Sequence, residues 1–105
     1  MAEPFAAITL DGATKYARIS SVAKLNFPSS NFMVSCHFKT SSVGALVNKY
    51  ASGVGYILEA QSGGEIRATV NGTILFSSAK YNDNSWHFCA LGANRVTESL
   101  YLFVD

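Results

Sequence analysis

Two short clusters hold all of the chain's sulfur and imidazole chemistry outside its methionines: Ser35-Cys36-His37-Phe38, and the run from Asn82 to Leu91, NDNSWHFCAL. Cys and His are the residues of zinc sites and of thiol nucleophiles, so spacing decides whether either chemistry is available. Adjacent residues on a strand point to opposite faces, so Cys36 and His37 do not both face one ion. His87 and Cys89 share a face, but no CxxC or HExxH pattern supplies the remaining ligands. A thiol nucleophile needs its base within hydrogen-bond reach. Two positions along a strand put His87 and Cys89 backbones roughly 6.6 Å apart, and nothing in the sequence selects a cross-strand pairing such as His37 with Cys89. A single Cys36–Cys89 bridge is conceivable, yet thiols in mid-strand have no special need to oxidise. Both are therefore read as small hydrophobes.

The carboxylates Glu3, Asp11, Glu59, Glu65, Asp83, Glu98 and Asp105 are scattered, and no two share one strand face at close spacing. A glycosidase needs a facing pair, so polysaccharide hydrolysis is not expected. Asn71-Gly72-Thr73 fits the N-glycosylation pattern, but Asn-Gly is also the strongest two-residue hairpin signal, and the hairpin reading is preferred. Asn82-Asp83-Asn84-Ser85 is a turn by composition. It offers oxygen ligands to calcium, although Asp83 alone would make a weak site. No other metal or cofactor is expected.

The elements that must carry these residues are strands. Short apolar runs rich in Val, Ile, Phe, Tyr and Thr alternate with Gly, Asn, Ser and Asp punctuation. Strands are expected near 5–10, 14–20, 31–40, 43–50, 54–61, 65–71, 73–79, 85–92 and 98–104. That pattern describes one all-β domain over residues 1–105, an antiparallel β-sandwich or barrel. KYARISSVAKL also fits a helical spacing, but its paired serines and the preceding turn favour a strand followed by a loop. Within GYILEAQSGGEIRATV, register follows from the pattern. A three-residue loop, Ser62 to Gly64, places Ala60 opposite Ile66, Leu58 opposite Ala68 and Tyr56 opposite Val70, with Glu59 opposite Arg67 on the other face. A slip of one residue would mix those faces, so this loop is selected, with Gly64 left-handed. With Asn71-Gly72 following, residues 54–79 read as a three-stranded meander.

Composition bounds the function. At 105 residues, 49% hydrophobic and 14% charged, the chain can hold a core without staples. A net charge of +1 with no basic run gives no electrostatic footprint for nucleic acid or an anionic membrane. No apolar stretch approaches a transmembrane length. MAEPFAAITL has no basic n-region and does not read as a signal peptide; a virion or an extracellular surface both remain open locations.

The order of features resembles the laminin-G-like, concanavalin-A-like jelly-roll family. It comprises TLDGATKYARI, NFMVSCHFKT, GALVNKY, GYILEA, GGEIRATVNGT, NDNSWHFCAL and SLYLFVD, with Trp86-His87 opening a strand after a polar turn as its most recognisable element. Asp11, Gly12 and Tyr16, then Phe38, Lys39 and Thr40, then Lys49, Gly55 and Tyr56, and finally Leu100, Tyr101, Val104 and Asp105 also follow the family's order. The resemblance implies a non-catalytic module that recognises glycan or protein through loops at one end of a sandwich. Phage structural proteins share this family, so the alternative is an assembly subunit of a fibre, tail or capsid decoration. The family's acidic catalytic motif is absent, so an enzyme is not expected. Asn48, Lys49 and Tyr50, and Tyr81, Asn82 and Asp83, are the loop residues expected to meet a ligand, by stacking and paired hydrogen bonds. Trp86 is expected inside.

The family continues past Val-Asp with further strands, whereas this sequence stops at Asp105. SLYLFVD is apolar on both faces, which calls for cover on both. The expected sandwich is therefore incomplete: either the chain is a fragment of a longer protein or domain, or another chain completes it, and the preferred reading is a homo-oligomer or assembly partner that covers the C-terminal strand.

Overall fold

The computed structural model describes residues 7–11, 16–20, 23–27 and 29–105. A 3-10 turn at Ala23–Leu25 precedes seven strands: β1 Phe32–Phe38, β2 Gly44–Ala51, β3 Val54–Ala60, β4 Ile66–Val70, β5 Thr73–Phe76, β6 His87–Asn94 and β7 Ser99–Val104. They form two antiparallel sheets, β1-β6-β7 and β2-β3-β4-β5, whose inner faces share one core. The all-β sandwich read from the sequence is the observed architecture.

The meander has the expected register. Ala60 pairs with Ile66, Leu58 with Ala68, Tyr56 with Val70 and Glu59 with Arg67. Gln61 N–H donates to the Glu65 carbonyl at 2.9 Å, which leaves Ser62 to Gly64 as the loop. Gly64 has φ +97, the left-handed geometry that a three-residue hairpin requires. Asn71 and Gly72, at φ 47 and 87, close the next hairpin between Val70 and Thr73. Ser52 and Gly53 repeat this two-residue design between Ala51 and Val54, adding β2 to the sheet.

Alternation then sorts side chains by face. Leu58, Ile66 and Leu91 are completely buried with Cys89, and Phe38, Tyr56, Ala60, Ala68 and Val70 complete the cluster. Burying each large aliphatic side chain stabilises the fold by about 1.5–3 kcal/mol. On the outer face of β2-β3-β4-β5, Arg67 Nε donates to Glu59 Oε1 at 2.6 Å, as their cross-strand pairing anticipates.

Two expectations change. The strands expected near 5–10 and 14–20 fall partly outside the described residues, and residues 7–11 and 16–20 are irregular and exposed. Alternating apolar residues such as Ile8, Leu10, Tyr16 and Ile19 find no partner strand in the described fold; each is at least half exposed or close to it. Trp86 is half-buried and lies outside the core cluster; His87 turns inward in its place, because β6 begins at His87 and its parity puts His87, Cys89, Leu91 and Ala93 inside.

On β7, Leu100, Leu102 and Val104 pack against the core while Tyr101 and Phe103 point outward, 52% and 67% exposed. Met33 joins them on the outer face, opposite Gly92, which in turn faces Tyr101. The strand is apolar on both faces, and only the inner one is covered among the described residues.

Candidate functional site

The residues singled out from the sequence separate to opposite ends of the sandwich. Tyr81, Asn82 and Asp83 lie at the end where β3 meets β4 at Gly64. Tyr81 N–H donates to the Gly64 carbonyl at 2.8 Å, and Asn82 Oδ1 occupies the space a Cβ on Gly64 would need. Tyr81 sets its ring edge-on to His87 at 5.0 Å between centroids.

His87 organises this end. Its Nδ1 lies 2.6 Å from Asp105 Oδ2 and its Nε2 2.8 Å from Asp83 Oδ1. Each ring nitrogen faces a carboxylate, an arrangement that favours the doubly protonated imidazole, which can donate to both. Burial alone pushes the His87 pKa down, but the hydrogen bonds to Asp105 and Asp83 and the charges behind them outweigh it, and the net shift is upward. The His87 hydrogen bond is also the largest cause of the lowered pKa at each aspartate. Phe88 N–H donates to Asp105 Oδ1 at 2.9 Å and Ser85 N–H to Asp83 Oδ1 at 3.0 Å. Asp83 is therefore already engaged by the His87 ring and by a backbone amide. Among the described residues no group of three or more His, Cys, Asp or Glu is placed to hold a metal ion.

Asn48, Lys49 and Tyr50 lie in β2 itself rather than in a loop, close to the opposite end. Asn48 Oδ1 accepts the Tyr50 N–H at 3.0 Å. Lys49 pairs with Tyr56, which turns it to the inner face, while Asn48 and Tyr50 share the outer one. The structure thus does not bring the two triplets together.

At the Lys49 end the mouth of the sandwich is open. The 3-10 turn is tied across it: Tyr56 Oη donates to the Leu25 carbonyl at 2.9 Å, and Arg95 Nη2 to the Phe27 carbonyl at 2.8 Å. Phe27 stacks on Phe32 with centroids 4.8 Å apart, and Tyr56 tilts against both. Arg95 lies over the Phe32 ring at 5.6 Å, its backbone N–H bound to Asn31 Oδ1. Its Nε is buried without a hydrogen-bond partner among the described residues. These groups, with Lys49, Gly55 and Asn71, line a cleft of about 270 Å³; a second of about 320 Å³ opens beside it between Asn71, Arg95 and Leu100. Asn71 and Arg95 form the wall between the two.

Gly55 shapes this mouth. It has φ +107, and a Cβ there would collide with the Lys49 carbonyl. Its N–H donates to Asn71 Oδ1 at 2.8 Å and its carbonyl accepts the Asn71 N–H at 2.9 Å. Asn71 is thus engaged in holding two hairpins together, which gives Asn71-Gly72-Thr73 a structural purpose.

Sequence reasoning missed Phe27, Phe32, Tyr56 and Arg95 as a group. Part of it was within reach: a two-residue Ser52-Gly53 turn sets Lys49 opposite Tyr56 by counting. Arg95 comes from a β6–β7 turn whose approach to Phe27 no local pattern encodes. Comparison with family models, with curated proteins and with solved structures finds no match for this chain.

Proposed function

We propose that this domain is a non-catalytic recognition module whose ligand, a glycan or an exposed protein segment, enters the clefts at the Tyr56 end. The observation that carries this reading is the conjunction of aromatic faces with two cationic side chains at one open mouth. Aromatic planes suit the apolar face of a sugar ring or an aliphatic side chain, and fixed donors set orientation. The cationic Arg95 and Lys49 on the cleft lining favour a ligand bearing acceptors. The motif order resembling laminin-G-like domains points to the same employment.

Titration with a panel of neutral and acidic oligosaccharides, followed by amide chemical shifts, tests the reading. Shifts centred on Gly55, Asn71 and Arg95, lost in Lys49→Ala, are expected; Tyr81→Ala at the far end should bind normally. Shifts confined to the Tyr81 end would refute it.

The second reading, a subunit of a protein assembly, is favoured by the outer face of β1-β6-β7. Met33, Tyr101 and Phe103 are exposed there around Ala90 and Gly92, and β7 is an edge strand. Exposed apolar edges call for cover. Multimers on light scattering that dissociate in Phe103→Ser, with no oligosaccharide binding, would favour this reading over the first.

A further inference from the structure

Cys36 and Cys89 stand directly opposite each other on β1 and β6. Both face the core, both are free thiols, and their sulfurs are 3.6 Å apart. Directly opposed residues of antiparallel strands have Cα atoms about 4.5–5.5 Å apart, inside the roughly 4.4–6.8 Å range that a disulfide spans. No change of register is needed; only the sulfurs must close to about 2.05 Å. Cys89 is completely buried, whereas Cys36 is half-buried on β1, an edge strand of its sheet. Cys36 is thus the more exposed residue of the pair.

We propose that Cys36 and Cys89 are a redox-active pair, in which a peroxide oxidises Cys36 and Cys89 resolves it to a cross-strand disulfide. The division of labour follows from their exposure, Cys36 being the more exposed residue and Cys89 fully buried. The contact between the two sulfurs, in which either can donate, lowers the Cys36 pKa despite burial and, together with burial, raises that of Cys89. The thiolate is the attacking species. The Cys36 thiolate attacks one peroxide oxygen, the O–O bond breaks, and the departing hydroxide takes up a proton as water, leaving a sulfenic acid. The Cys89 sulfur then attacks the Cys36 sulfur. The S–S bond forms, the S–O bond breaks, and the Cys89 proton leaves with the hydroxide as a second water. Two thiols lose two electrons and one peroxide is reduced to two waters. No imidazole is required: His87 is bound at both nitrogens and His37 lies on the outer face.

The test treats the intact chain with hydrogen peroxide, alkylates it in denaturant and measures its mass. The expected product has lost two hydrogens, takes no alkylating agent, stays monomeric and gives a linked peptide pair containing residues 36 and 89. Its thermal midpoint should rise on the order of 10 °C, because the bridge closes a long loop, and dithiothreitol should reverse the rise. Cys89→Ala should stop at a dimedone-reactive sulfenic acid on Cys36, and Cys36→Ala should leave Cys89 unoxidised. The wild-type mass measurement does not depend on either variant folding. Two alkylatable thiols after treatment, a sulfenic or sulfinic Cys36 persisting in the wild type, or a bridge formed only between molecules would each overturn the proposal.

Discussion

The two ends of the sandwich use polar groups in opposite ways. At the His87 end, the polar side chains close on one another: Asp83 and Asp105 clamp the imidazole, and Asn82 seats against Gly64. At the Tyr56 end, polar groups hold the rim while aromatic faces and two cations line open space. Residues that look reactive in sequence are engaged in holding the fold at one end. The clefts at the other are lined mainly by residues that look like core.

The largest effect expected from breaking this contrast is at Gly55. Gly55→Ala forces a left-handed φ on a residue with a Cβ and drives that Cβ into the Lys49 carbonyl. A loss of about 3 kcal/mol is expected in urea denaturation. Gly72→Ala sharpens the point. Gly72 also has positive φ, but nothing lies within 4 Å of its Cβ position, so about 1 kcal/mol is expected. Equal costs at the two glycines would show that backbone strain alone, and not the close approach at the cleft, sets the requirement.

How much of this was legible follows from how local each feature is. The β3–β4–β5 register could be counted from Tyr56 to Thr73, because a slip of one residue would expose Leu58 and Ile66. Pairing of Cys36 with Cys89 could not be counted: β1 and β6 lie 53 residues apart at that point, and no turn links them. The same holds for His87 and Asp105, which sit in separate sequence motifs, Trp86-His87 and Val104-Asp105, and meet only because β6 pairs with β7. Trp86 was misplaced because the strand begins at His87, two residues after the expected start, and its alternation turns His87 inward instead. The alternation in residues 5–10 and 14–20 is strand-like, yet pairing rather than pattern makes a strand.

The next effect down is at His87. The raised His87 pKa contributes stability that is full below its ordinary value of 6.5 and lost as pH rises through the folded value. The lowered Asp83 and Asp105 values contribute stability present above the ordinary 3.8 and lost as pH falls through their folded values. The clamp is therefore strongest between those limits, at pH 4 to 6. His87→Gln should cost about 2 kcal/mol at pH 5, less at pH 9, and flatten the alkaline side of the stability profile. Parallel profiles for wild type and His87→Gln would remove the clamp from any account of this end.

The smallest effect compares one hydroxyl-for-hydrogen change at each end. Tyr56→Phe keeps the ring against Phe27 and Phe32 but deletes the bond from its hydroxyl to the Leu25 carbonyl. That carbonyl loses its partner, so about 1 kcal/mol is expected, together with a looser 3-10 turn that amide exchange at Leu25 to Phe27 would report. Tyr81→Phe keeps the ring edge that meets His87, so a change within about 0.5 kcal/mol is expected. The measurement must resolve the difference between the two variants, since each alone lies near the scatter of surface substitutions. A larger loss at Tyr81 than at Tyr56 would mean that the His87 end depends on the Tyr81 hydroxyl, and that the turn over the clefts is held by Arg95 and the aromatic stack alone.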